Sequence, residues 1–461
     1  MSLINQLLNK LINRKWKTYL YAILPHPTEA KVLILPNKTG CSLPHICVND
    51  DLECDEIPVI KKELEQKLGI SVNILYCANN YFDESKREIH GVYVLEQNDS
   101  IEELKEGSWT DLATLKNLSL KYPQHQPIIE EYLTEIENNN IPELRPPWAR
   151  VGWLDAASQW IEAQLQDLVY QQLSPVECIK TWGISCILRV RTNHGNLYLK
   201  EASTLPLFCN EPVVTKELKK IFPEHIPTVL SINSERHWML LADFGEPIGK
   251  VPVKIKKDVY RLLAQIQMKS VEHIDNLLNV GCLDRRLEKL ATQIDYLFND
   301  EIVLSQLKEA EIERLIKIAP YLKNLCSQLA EYKIPQTLVH GDLHLGNVAL
   351  DNDNYLLFDW TDSCIAHPFF DMFQFYFRRY YNPLSPIKAV RDEYLNQWTV
   401  YESKSRVLEA WKSAKPLCAL HHAVTYQYIS NCLEPREKQL FSKALGDFLQ
   451  ELLKCKFEFS I

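Results

Sequence analysis

Apolar and polar positions follow two different rhythms along this chain, and the change of rhythm divides it. Residues 18–24, 31–35, 72–77 and 91–95 are short apolar runs of β type, while residues 58–68 repeat apolar side chains at helical spacing. That mixture predicts a small α+β domain over residues 1–143. The segment Ile141-Pro142-Glu143-Leu144-Arg145-Pro146-Pro147-Trp148 is too rich in proline for a helix or a central strand, so residues 144–150 are predicted to be a linker. Residues 153–173 then return to helical period. Residues 184–191 and 197–200 read as strands joined by the turn Asn193-His194-Gly195-Asn196, whose residues tolerate positive φ. A helix opens near Asn210 and Glu211, with Val213, Val214, Leu218 and Ile221 as its apolar stripe, and Trp238-Met239-Leu240-Leu241 is a further strand. Beyond Gly249 the pattern is helical, apart from an island at 338–360. The predicted arrangement is a β-rich lobe over 151–245 followed by a helical lobe over 246–461.

Composition narrows the function classes. The 461 residues are 46% hydrophobic and 24% charged, which fits globular domains with full cores and excludes a disordered or fibrous chain. A net charge of -9 gives no support to electrostatic binding of a nucleic acid or an anionic membrane. The 13 cysteines are scattered and contain no C-x-x-C pair, the usage of reduced thiols in a cytoplasmic protein. The N-terminal MSLINQLLNKLINRKWK is apolar at helical spacing but lacks the order of a signal peptide, and no run is long enough to span a membrane. The expectation is a soluble, cytoplasmic protein.

The island carries the chemistry. It reads Leu338-Val339-His340-Gly341-Asp342-Leu343-His344-Leu345-Gly346-Asn347, then Tyr355-Leu356-Leu357-Phe358-Asp359-Trp360. One strand delivers Asp342 into a loop, Asn347 follows five residues later, and a second strand delivers Asp359 after twelve more. Phosphoryl transfer needs such a set: one carboxylate to orient an acceptor hydroxyl and take its proton, and an oxygen donor plus a second carboxylate to hold Mg²⁺. The competing reading is an Asp/Asn turn between two strands with a solvated aspartate beyond.

These residues resemble the aminoglycoside phosphotransferase and choline kinase-like superfamily, whose signature is H-G-D-L-H-x-x-N followed by an aspartate in a strand–turn. The continuation His367-Pro368-Phe369-Phe370-Asp371 also resembles that family, and the likeness covers roughly 151–455. It implies an α+β, two-lobed, protein-kinase-like fold, with Asp342 as base, Asn347 and Asp359 as metal ligands, and His340 and Asp371 as structural supports. ATP and Mg²⁺ are the implied cofactors and a hydroxyl of a small molecule the implied acceptor.

Asp243-Phe244-Gly245 spells the metal motif of protein kinases but precedes the catalytic loop, so its order forbids that role. Following the strand at 238–241, Asp243 and Phe244 are expected either at a hinge that meets adenine or in an ordinary strand-ending turn. Lys200 ends its strand where the family carries a phosphate-binding lysine, and Glu211, opening the next helix, is its natural ion-pair partner. The nucleotide-covering loop would be Trp182-Gly183-Ile184-Ser185, with Ser185 a cofactor-binding residue and a single glycine in the loop. His340 and His344 stand four apart in a loop, where structural roles are favoured over metal ligation. His421 and His422 read either as lining an acceptor pocket or as helix packing.

In the first domain, Lys62-Glu63-Leu64-Glu65-Gln66-Lys67-Leu68-Gly69-Ile70 resembles the end of a Nudix box, R-E-U-x-E-E-x-G-U, and Ser108-Trp109 also fits that fold. The likeness implies a small Nudix-like α/β/α domain. Gln66 and Lys67 stand where active members carry the glutamate pair that holds Mg²⁺; the upstream glutamate position falls on Cys54, with Glu53 and Glu56 nearby. An amide and an ammonium do not replace that pair, so the domain reads as a scaffold without pyrophosphohydrolase chemistry. The function expected of the whole chain is an ATP- and Mg²⁺-dependent small-molecule phosphotransferase. Its rivals are a nucleotide-binding pseudokinase and, behind both, a Nudix-type hydrolase.

Overall fold

The structure is a computed structural model, described over residues 16–38, 40–49, 52, 56–98, 106–351, 354–377 and 387–454. The apolar pattern at 1–15, together with Glu53 and Cys54, lies outside the described residues. The chain forms two compact units, Met1–Gly195 and Asn196–Ile461.

The first unit mixes strands and helices as expected. β1 (Lys17–Ile23), β2 (Val32–Asn37), β3 (Gly40–Ser42), β4 (His45–Val48), β5 (Val72–Asp83), β6 (Glu88–Gln97) and β7 (Ser108–Thr110) form two sheets, ordered β4-β1-β6-β5 and β3-β2-β7. β1 runs parallel to β6 and antiparallel to β4, so it is central, and its KTYLYAI run is buried accordingly. Leu20 and Ala22 pack with Ile57, Ile60 and Leu64 of helix α1 (Ile57–Leu68). That helix starts with a proline in its first turn and stops at Gly69, whose φ of 73° is left-handed. α2 (Gln126–Glu137) follows.

The proline-rich segment is not a free tether. Trp148 is buried and its indole Nε1–H donates to the Trp182 carbonyl (2.9 Å), and buried Arg145 grips Glu135 through Nη2 at 2.9 and 3.0 Å. These contacts weld residues 144–150 into the first unit, together with α3 (Trp153–Leu168), β8 (Glu177–Thr181) and β9 (Ser185–Thr192). The boundary between the two compact units falls after Gly195, past the turn that follows β9. Helix α3 is shorter than the apolar period suggested: it ends at Val169, a non-glycine residue with φ 59°.

In the second unit β10 (Gly195–Ala202) pairs antiparallel with β12 (Trp238–Ala242), which also pairs with β11 (Val229–Asn233). Helix α4 (Glu211–Ile221) lies between β10 and β11 in sequence. Long helices then dominate: α5 (Val253–Ser270), α6 (Leu287–Phe298), α7 (Glu309–Ala330), α8 (Ile387–Gln397), α9 (Lys404–Asn431) and α10 (Pro435–Lys454). Among the described residues, no helix is long and apolar enough to cross a membrane. Small strands interrupt the helices. β14 (Thr337–Val339) pairs antiparallel with β17 (Cys364–Ala366), which also pairs in parallel with β13 (Leu283–Asp284), while β15 (Val348–Asp351) and β16 (Asn354–Leu357) form a hairpin. One contiguous core holds this unit, and Val339, Leu343, Val348, Leu357 and Trp360 belong to it, so the island is rooted in the best-packed part of the fold.

Candidate active site

The loop after β14 owes its shape to Asp371. This carboxylate is fully buried and accepts three N–H bonds: His340 N at 2.9 Å, Gly341 N at 2.8 Å and Gln267 Nε2 at 2.8 Å. Burial pushes its pKa up to about 7 against the pull of those donors. Gln267 comes from α5 and is itself fixed by the Tyr394 hydroxyl, which donates to Gln267 Oε1 at 2.7 Å. Ser270, one turn on, accepts from Leu338 N at 2.9 Å and ties the same helix to β14. Gly341 has φ 88°, and a Cβ there would stand 2.5 Å from the Asp362 carbonyl oxygen, so the sharp turn admits no other residue without distortion.

His340 is also fully buried. Its Nε2 bonds the Phe358 carbonyl (2.9 Å) and its Nδ1 accepts from Asp342 N (3.4 Å), which assigns the neutral Nε2–H tautomer. Burial lowers its pKa to about 4, so the ring stays neutral across the physiological range. It therefore joins the loop of Asp342 to the strand end that carries Asp359.

Asp342 projects from this turn with its side chain 46% exposed. Burial first, then the charges of Asp362, Asp359 and Asp371, push its pKa upward, an effect that water reaching its open side screens in part. His344 Nε2 lies 3.7 Å from Asp342 Oδ2, while His344 Nδ1 accepts from Gly346 N (2.9 Å). Asn347 ends the short 3₁₀ turn that follows. Its Nδ2 donates to the Asp342 carbonyl (2.9 Å), and its own carbonyl accepts from Phe358 N (3.0 Å). With the amide N–H₂ committed, Oδ1 is the group Asn347 has to offer.

Lys200 completes the cluster from β10. Its Nζ donates to Glu211 Oε1 (2.7 Å), Asp359 Oδ1 (2.6 Å) and Thr361 Oγ1 (3.0 Å), and Thr361 in turn donates to Glu211 Oε2 (2.8 Å). Glu211 is delivered by the first turn of α4, where Pro212 suits the helix start and a carboxylate suits the dipole. The chain just before α4 is pinned by Cys209 N to the Thr361 carbonyl (3.0 Å) and Asn210 N to the Gly281 carbonyl (3.2 Å). Burial opposes the charge on Lys200, but Asp359 and Glu211 outweigh it and raise its pKa. Burial alone would raise Asp359; Lys200 overrides it and holds the carboxyl down to about 2. One ammonium thus faces two carboxylates, and Glu211, only 2% exposed, is the one left under-compensated: burial raises its pKa against the pull of Lys200. Asp359 is 42% exposed, sits at φ 65°, and keeps Oδ2 clear of protein partners among the described residues.

The structure thus brings Lys200, Glu211, Asp342, Asn347, Asp359, His340 and Asp371 into one connected network. Phe244 reaches its edge, with its ring 5.0 Å from that of Phe358. Asp243 instead forms a turn: Oδ1 accepts from Gly245 N (3.0 Å) and Oδ2 from Asn196 Nδ2 (3.2 Å). Ser185 belongs to the first unit, where its hydroxyl accepts from Trp182 Nε1–H at 2.6 Å. His421 and His422 are buried in α9 against Phe370 and Phe448, and their pKa values are lowered by burial, so packing accounts for both. Sequence reasoning missed Thr361, Gln267 and Asp362. Thr361 could have been read from its place two residues after Asp359, whereas nothing in the helical pattern around Gln267 distinguishes it.

Among the described residues, no three His, Cys, Asp or Glu side chains could close a metal site unaided. What the site offers is Asn347 Oδ1 and Asp359 Oδ2, two hard oxygen donors, one of them ionised. That set fits Mg²⁺, which takes few protein ligands and completes its shell with water and phosphate oxygens.

Residues 257–416 match the model of the phosphotransferase enzyme family. No curated protein matches the chain. Among solved structures, a choline/ethanolamine kinase family protein from Mesorhizobium loti is 14% identical over 64% of this chain and 95% of its own, with a TM-score of 0.46. A choline kinase from Streptococcus pneumoniae is 12% identical over 64% and 99%, with a TM-score of 0.39. A candidate oxidoreductase from Sinorhizobium meliloti 1021 is 23% identical over 30% of this chain; the match spans 46% of that protein, with a TM-score of 0.23.

Proposed function

We propose that this chain, whose residues 257–416 carry a phosphotransferase-family domain, moves the γ-phosphate of ATP to a hydroxyl of a small molecule. The observation that carries the reading is the buried Lys200, paired at once with Glu211 and Asp359 and joined through Asn347 and His340 to the loop of Asp342. Asp342 orients the acceptor hydroxyl and takes its proton. Lys200, positioned by Glu211 and Thr361, holds the phosphates of the nucleotide. Asn347 and Asp359 would hold Mg²⁺, which neutralises phosphate charge when bound. Asp371 and His340 touch no substrate; they set the angle of the loop and its distance from Asp359. Phe244 and Asp243 form the turn after β12 against which adenine rests.

Residues 1–143 are proposed to be a Nudix-like scaffold without hydrolase activity. Helix α1 in its sheet setting supports the scaffold, and Gln66 and Lys67 in place of a carboxylate pair argue against the chemistry. Incubating the full chain with Mg·ATP and a pool of metabolite alcohols tests the main reading. Transfer of labelled γ-phosphate to a small molecule, absent in Asp342→Ala, is the expected result, and undiminished transfer by Asp342→Ala removes the assigned base. Tight ATP binding with no transfer to any alcohol would favour a nucleotide sensor, a reading to which the sparse glycine content of 182–185 lends support.

A further inference from the structure

The first unit holds two thiols in direct contact. Cys178 of β8 and Cys186 of β9 have their Sγ atoms 3.8 Å apart. The register pairs Cys178 with Leu188 and Thr181 with Cys186, which makes the cysteines diagonal neighbours on one face of the ladder. Diagonal neighbours in a regular ladder are too far apart for a bridge, but β8 carries a register shift between Cys178 and Lys180, so the ladder is irregular where the thiols meet. Cys178 is partly exposed, Cys186 is 1% exposed, and both line a small cavity with Lys61, Trp148 and Trp153.

We propose that Cys178 and Cys186 are a reversible dithiol/disulfide site, with a low-molecular-weight disulfide as oxidant. The Cys178 thiolate attacks one sulfur of the small disulfide, forming a mixed disulfide and expelling one thiolate. Cys186 then attacks the Cys178 sulfur, forming the internal S–S bond and expelling the second small thiolate. The two cysteine protons leave with the two small thiols, so the chain loses two electrons and the oxidant gains them. Bond formation requires the sulfurs to close from 3.8 Å to about 2.05 Å. The partly exposed thiol begins the exchange and the buried one resolves it.

The bridge would staple the base of the turn at 182–184. That turn is already shaped by Trp182 N donating to the Ser185 carbonyl (3.1 Å) and by the Trp182 indole donating to Ser185 Oγ (2.6 Å), with the Arg189–Glu177 ion pair (2.7 Å) beyond the cysteines. The site stands independently of the phosphotransfer reading, and so does its test.

The full chain is incubated with oxidised glutathione, blocked with a thiol reagent and digested with trypsin. Lys180 lies between the two cysteines, so a disulfide links two otherwise separate peptides, one ending at Lys180 and one running from Thr181 to Arg189. The expected result is that linked pair, released by dithiothreitol, with slowed amide exchange over 179–185 in the oxidised chain. Cys186→Ser, nearly isosteric, should instead accumulate glutathione on Cys178. Failure to find the linked pair, or Cys178 left unmodified in Cys186→Ser, would overturn the proposal.

Discussion

Replacing Lys200 by methionine keeps the length of the stem and removes the charge. Glu211 is then left at 2% exposure with only Thr361 for company, because its other partner was the ammonium. Stranding one member of a buried pair costs about 3–5 kcal/mol, most of it the penalty of the uncompensated charge. Asp359, being 42% exposed, is rescued by water and adds little. For a unit of this size that penalty corresponds to a fall in Tm of roughly 10 °C. The double variant Lys200→Met/Glu211→Gln removes both charges and should recover most of the loss, giving a coupling of about 2–3 kcal/mol in a double-mutant cycle. Urea unfolding of the full chain, followed by a probe in the second unit, measures all four corners. The same double variant should stay inactive toward Mg·ATP, since the phosphates have lost their cation. A coupling below about 0.5 kcal/mol would refute the assignment of Glu211 as the group that holds Lys200.

Other substitutions separate chemistry from architecture. Asp342→Asn should lower phosphoryl transfer by about 10²–10⁴ while shifting Tm little, because the side chain is half open to solvent; a folded variant with wild-type turnover contradicts the role. Gly341→Ala must fit a Cβ 2.5 Å from the Asp362 carbonyl at positive φ, so a loss of about 1–3 kcal/mol is expected by denaturant titration, and an unchanged midpoint would mean the turn is looser than described. His340 has a folded pKa lowered to about 4 from 6.5, so its contribution is complete above pH 6.5 and is lost as pH falls toward 4. The stability gap between wild type and His340→Gln should therefore shrink by about 3 kcal/mol between pH 7 and pH 4, and nitrogen NMR should find the neutral ring at pH 6. Titration of that ring near 6.5 would show it is not buried.

The island was legible because its residues are close in sequence: His340 to Asn347 occupy one turn, and Asp359 sits at the end of the next hairpin. Lys200 and Glu211 were legible from order along the chain, since a lysine near the end of a strand and a helix opening on Glu each carry a local signal, although β10 runs on to Ala202. The support from α5 was not. Gln267 reaches Asp371 across more than a hundred residues, and a glutamine on a buried helix face has no periodicity of its own. Packing at 144–150 was hidden for a related reason: prolines report that a helix or a central strand cannot form, not whether the segment is packed, and Trp148 and Arg145 decide that. Likewise, the period of α3 continues past its end because Leu173 keeps the apolar rhythm after Val169 has left helical geometry.

The most direct test is ATP binding to the full chain by calorimetry, with Mg²⁺ and then with a chelator, in the wild type, Asn347→Ala and Asp359→Ala. The account predicts micromolar-range binding (about 1–100 μM) that weakens at least tenfold when Mg²⁺ is removed, and that loses its Mg²⁺ dependence in both variants. Equal affinity with and without the metal, or variants that keep the full metal effect, would contradict it.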